Sequence, residues 1–234
     1  MQAQTTTISP SGYARIAGVL YLIITLASIF AHFVVPGQLI VPGNAAATAE
    51  NIMAFPWQFR VGFMLDLFAA VLFLLTAWAL YRLLKPVNEN MALLFLLLNA
   101  GGVALQAASD LFLPVSQMHL GGADYLKVFQ FDQLQALAMS FLYLYKNGFM
   151  IAQIFYGAWL LPLGYTVFKS GFLPKILGAV LMIHCCTWLM NSVQFFLFPG
   201  FTAIAYISYP LGFIAELGLS LWLLIVGAKE QQPT

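Results

Sequence analysis

Six stretches of this chain run for about 20 residues or longer with hardly a charged side chain, and that decides which folds are open to it. Hydrocarbon about 30 Å thick is crossed by about 20 residues of helix at about 1.5 Å each, with every backbone amide satisfied inside the segment. The stretches span about 13–35, 57–84, 91–113, 146–168, 174–198 and 204–226. Helix breakers stand at their ends: Pro36-Gly37, Pro86, Pro114, Ser170-Gly171 and Pro199-Gly200, with Pro174 suited to a first helical turn. The first stretch outruns the roughly 7–15 residues of a secretory leader's apolar region, so it is expected to be a span. The expected fold is an all-α, polytopic transmembrane helix bundle of six spans, one integral membrane domain over residues 1–234.

Composition agrees. Charged residues make up 7% of the chain and hydrophobic ones 62%, against roughly 25% charged in soluble domains. A net charge of +1 leaves no basic excess to neutralise phosphates, which excludes nucleic acid as a partner. Cys185 and Cys186 are adjacent in an apolar run and fit neither a disulfide framework nor a CxxC motif. Cations set the orientation. With the amino terminus inside, Arg15, Arg82, Lys85, Lys169, Lys175 and Lys229 face the cytoplasm, and Arg60, Lys127 and Lys146 face out. Both termini are therefore expected to be cytoplasmic.

Two outer segments are more than loops. Residues 45–55 read as a short helix capped by Asn44. In 124–145, Leu126, Phe129, Leu134, Leu137, Phe141 and Leu144 recur near helical spacing among polar residues. Its first half is expected to lie on the membrane surface. Its second half is apolar enough for a partial seventh span, an alternative that the charges disfavour.

Residues 15–36 (RIAGVLYLIITLASIFAHFVVP) and 156–178 (YGAWLLPLGYTVFKSGFLPKILG) resemble an uncharacterised prokaryotic membrane-protein family, domain of unknown function 4386. The hinge Lys-Ser-Gly-Phe-Leu-Pro-Lys is its most distinctive part. The resemblance implies a multi-span protein of a prokaryotic cell membrane, and the expected location is the bacterial cell (inner) membrane. It implies no activity, cofactor or catalytic residue.

Polar side chains within hydrocarbon are costly and should turn toward protein or a cavity, so each span should carry one polar stripe. Tyr21, Thr25, Ser28 and His32 fall on one face of the first span. Asn99, Gln106 and Asp110 share a window of about 40° on the third, at about 100° per residue. Asp66 marks the second span, Gln153 the fourth, His184, Thr187 and Asn191 the fifth, with Gln194 beside them, and Tyr209, Gly212, Glu216 and Ser220 the sixth. His32, Asp66, Gln106, Asp110, Gln153, Asn191 and Gln194 count into the outer half, and Asn99, His184 and Glu216 into the middle. The expected geometry is a partly polar cavity open outward.

Each residue also has a plain structural reading. Asn, Gln and Ser join helices by hydrogen bonds, and buried His is commonly a bonded core residue. Arg60 is expected to pair with Asp66 or Asp110. Glu216 has no Lys or Arg at its depth, so it must be protonated, bonded to His184, Asn99 or water, or hold a cation.

No HExxH, G-x-S-x-G or phosphate-binding glycine loop is present. Neither a cofactor nor a metal is expected, and enzymatic activity is the less favoured class. The first functional expectation is that the cavity binds a small or lipophilic molecule, for transport or sensing, with membrane lipid as the surrounding partner. The alternatives are a membrane-embedded enzyme acting on a lipid or quinone, using Glu216, His184 and an aspartate, and a scaffold subunit without a ligand.

Overall fold

Apolar segments that must satisfy their own amides coil, and the computed structural model, which describes residues 8–228, is 85% helical with no strand among those residues. Among the described residues, six helical runs are long and apolar enough to cross a membrane: Pro10–Leu39, Pro56–Leu84, Glu89–His119, Phe131–Lys169, Lys175–Leu197 and Ala203–Ile225. Lys229, the last cation used for the orientation, lies outside the described residues.

The first run is α1 (Pro10–Ile29), a π-turn (Phe30–Val34) and α2 (Val35–Leu39). Pro36 does not end it. The Val35 N–H reaches back to the Phe30 carbonyl, so the helix widens just where the proline ring would crowd the carbonyl of His32, four residues back. Asn44 then caps α3 (Ala45–Ala54), its Oδ1 accepting from the Ala47 N–H at 3.0 Å. The second and third runs are α4 (Pro56–Leu84) and α5 (Glu89–Asp110), the latter followed after Leu111 by α6 (Phe112–His119). Pro114, read from sequence as a stop, is the third residue of α6, where no intrahelical N–H is required.

α7 (Phe131–Lys169) joins what the sequence separates into an outer helix and a fourth span. Nothing interrupts it: the stretch from Phe131 to Lys146 has neither Gly nor Pro, and Pro162 lies much further along. The Gln133 side chain accepts from the Gln130 N–H at 2.9 Å, one half of a capping box at the start. Asp124–Leu126 form a single 3₁₀ turn before it. Of the apolar residues expected at the membrane surface, Leu126 and Leu134 are buried in protein and Phe129 is exposed, and the face that α7 buries here is Leu134, Ala138, Met139 and Leu142. The last runs are α8 (Lys175–Leu197), then α9 (Ala203–Gly212), a π-turn (Phe213–Leu217) and α10 (Gly218–Ile225).

The described residues pack as two units. One comprises residues up to Leu22, Leu72–Ala100 and those from Ile154 on. Its centre is Trp159, edge-on to Phe73 at 4.9 Å and to Phe95 at 6.2 Å. Here α7 and α8 cross at glycines. A Cβ on Gly178 would lie 2.6 Å from the Gly164 carbonyl oxygen, and one on Gly164 would lie 2.7 Å from that of Gly178. Lipid tails are as apolar as leucine, so such close fit, rather than burial from water, holds membrane helices together. The other unit comprises Ile23–Val71 and Gly101–Gln153. Its core is Val35, Leu39, Ile52, Phe59, Leu113, Met139 and Leu142.

Candidate functional site: a tyrosine–carboxylate–histidine group in each unit

In the first unit the group is built on Glu216. Pro210 lies inside α9 and crowds the carbonyl four residues back, at Tyr206. The run opens into the π-turn that carries Glu216. Tyr21 Oη donates to Glu216 Oε2 at 2.7 Å. His184, from α8, faces Oε1 with Nε2 across 3.4 Å without hydrogen-bond alignment, and that nitrogen makes no other hydrogen bond. Its Nδ1 lies 3.3 Å from Thr187 Oγ1, whose own hydrogen goes to the His184 carbonyl at 3.0 Å. The Thr187 oxygen is therefore an acceptor and Nδ1 carries a hydrogen, an assignment from the bonding pattern. His184 is fully buried, whereas the Glu216 side chain keeps 30% of its surface. Trp188 stands edge-on to His184 at 5.1 Å, and exposed Tyr209 packs on Trp188 at 5.9 Å. Aromatic walls and an anchored but open carboxylate thus share one seam of the helices.

In the second unit the group is built on Asp66 of α4, which is 1% exposed. Gln106 Nε2 donates to Asp66 Oδ1 at 2.7 Å, Tyr145 Oη donates to Oδ2 at 2.7 Å, and His32 Nε2 faces Oδ1 at 3.1 Å. The Tyr145 oxygen also faces His32 Nδ1 at 3.3 Å. His32 stands on the π-turn before Pro36, with its ring 4.3 Å from that of Phe149. Asp110 lies beside Asp66, fully buried, with no N–H or O–H donor at either oxygen.

Of the candidates read from sequence, the structure brings His32, Asp66, Gln106 and Asp110 together in one group and His184 and Glu216 in the other. Asn99 is buried and its amide finds no partner. Asn191 is buried, and Gln153 is half-buried. Gln194 accepts from the Ile204 N–H at 3.0 Å, holding the start of the sixth run. The expected pairing of Arg60 with Asp66 or Asp110 is not the one formed. Exposed Arg60 donates through Nε to Gln117 Oε1 at 3.0 Å, and Asp66 takes His32 in its place. A guanidinium at a helix start reaches a neighbouring exposed amide without leaving the polar edge. Tyr145 is the partner that sequence reasoning missed.

Two open grooves are formed elsewhere. One runs over the Tyr81–Glu89 turn, where Lys85 meets Glu89 at 3.0 Å. The other lies between Ile52, Pro56, Arg60, Pro114, Gln117 and Tyr125. Of the candidates, Arg60 alone lines either groove. No set of three or more His, Cys, Asp or Glu among the described residues is arranged to hold a metal.

No solved structure matches the chain. An uncharacterized protein of the archaeon Archaeoglobus fulgidus is 28% identical over 153 residues, covering 65% of this chain and 75% of the relative. The model of the family described as "Domain of unknown function (DUF4386)" matches residues 16–227, and the chain belongs to that family.

Proposed function

We propose that this protein resides in a prokaryotic cell membrane, termini cytoplasmic, and binds a lipophilic molecule at Glu216, for transport or sensing. The observation carrying the reading is the unfinished polar contact there. Glu216 is fixed by Tyr21 on one oxygen, faces with the other a buried His184 Nε2 that makes no hydrogen bond, and is 30% exposed. A buried polar atom without a partner forgoes about 1–3 kcal/mol, which a ligand's polar group returns on binding. Phe213 and Ile214, next to Glu216, are exposed apolar residues on a membrane-spanning run, so access is from the bilayer. A carboxylate facing His184, which packs on Trp188 and through it on Tyr209, suits a cationic or hydrogen-bond-donating group on an apolar body. The cytoplasmic termini follow from the cation bias of the loops.

Thermal unfolding of the purified chain in detergent tests this, with tetraphenylphosphonium and a long-chain alcohol as probes. A probe at about 100 times its dissociation constant stabilises the folded state by about 2.7 kcal/mol. One of the two is expected to raise the unfolding temperature of the native chain. Glu216→Gln, which keeps the shape and a Tyr21 contact, is expected to abolish that rise while unfolding nearly normally without probe. An equal rise in both proteins, or none with either probe, overturns the reading.

A further inference from the structure

We propose that the His32–Asp66–Asp110 group is a proton-binding site inside the membrane, exchanging one proton while the chain stays folded. It rests on residues of the second unit alone, and so stands or falls apart from the Glu216 reading.

Counting hydrogens leads there. Asp66 receives one from Gln106 and one from Tyr145. Because the Tyr145 hydrogen goes to Asp66, its oxygen presents a lone pair to His32 Nδ1. The other ring nitrogen faces Asp66 Oδ1. Both nitrogens of His32 thus face acceptors, and both are satisfied when the ring is an imidazolium, lying against the face of Phe149. That cation balances the Asp66 carboxylate.

Asp110 is then the remainder: a carboxyl group with 0% exposure, beside a carboxylate, with no donor of its own. Two like charges in contact in a dry interior are strongly unfavourable. A hydrogen on Asp110 removes the repulsion and makes it a donor to Asp66. The group is then neutral, and losing that hydrogen leaves it with one net negative charge. α1 and its π-turn bring His32, α4 brings Asp66, α5 brings Asp110 and α7 brings Tyr145. Arg60 is held by Gln117, and Lys146 is exposed.

A proton fits better than a metal cation. Hard divalent cations take about six or more oxygen ligands, and the Asp66 oxygens are already occupied by donors. A proton needs one acceptor.

The test is infrared spectroscopy of the full chain carrying Glu216→Gln, so that this second membrane carboxyl is silent. A protonated-carboxyl C=O band is expected that moves in D₂O, fades as pH rises, and is missing in Asp110→Asn. Absence of the band, its survival in folded Asp110→Asn, or its removal by sodium at fixed pH overturns the proposal. Should Asp110→Asn not fold, Tyr145→Phe is measured instead. It strips a donor from Asp66 and is expected to raise the band's titration midpoint by about one pH unit, a tenfold gain in proton affinity. An unmoved midpoint also overturns the proposal.

Discussion

Gly212 and His184 are so close that a Cβ on the glycine would lie 2.5 Å from His184 Nε2 and 2.7 Å from Cε1. The imidazole reaches Glu216 because α9 presents no side chain at that point. Gly212→Ala is therefore expected to displace the ring and to destabilise by about 1–3 kcal/mol, as overpacking does. Gly218→Ala is the control: its Cβ would meet only Leu177 Cδ2, at 3.3 Å. Thermal unfolding of both variants decides the matter, and equal effects would falsify the close-contact account.

The α7–α8 crossing is less forgiving. A Cβ on Gly178 would meet the Phe168 backbone nitrogen at 2.5 Å as well as the Gly164 carbonyl. Backbone cannot rotate aside as a side chain can, so the two helices must part. Gly178→Ala is expected to lose more folded protein than Gly212→Ala, read as the monodisperse yield in detergent. A normal yield would show that the crossing has slack.

Arg60 offers a test of partner assignment. Its bond to Gln117 is at an exposed edge, so the pair is expected to couple by no more than about 1 kcal/mol. Arg60→Ala and Asp66→Asn should add within about 0.3–0.5 kcal/mol in a double-mutant cycle. Larger coupling between those two would reinstate the ion pair read from sequence.

The orientation can be read directly. Reporter fusions at Val87 and Gly171 are expected to be cytoplasmic, and those at Gly43 and Ala123 external. An external signal at Gly171 would invert the assignment of the Lys169 and Lys175 hinge to the cytoplasmic face.

The spans and the gathering of polar side chains were legible in the sequence for one reason: hydrocarbon punishes a polar group facing outward. His32, Asp66 and the pair Gln106 and Asp110 come from three separate helical runs, yet the stripes already turned them inward. What the pattern could not carry was direction at short range. Tyr145 reads as an ordinary residue near the start of a span, and whether its hydroxyl meets water or Asp66 depends on where α7 runs. That course was obscured because a change from amphipathic to apolar composition looks like a boundary, although no residue between Phe131 and Lys146 breaks a helix. Pro36 and Pro114 misled for the opposite reason. Proline forbids a hydrogen bond rather than a helix, and a widened turn before one and a fresh first turn around the other removed the need for that bond.

Those widened turns bear on how the chain tolerates changes in length. A π-turn holds one residue beyond what an α-helix needs, so a single deletion within Phe30–Val34 or Phe213–Leu217 could be absorbed without breaking the helical run. Repairing the helix, however, swings one side of the deletion by about 100° relative to the other. His32 or Glu216 would then be carried off its partners while the span stayed whole. A shortened chain of this kind would pass every test of insertion and helicity and still lack one of its two acid–base pairs.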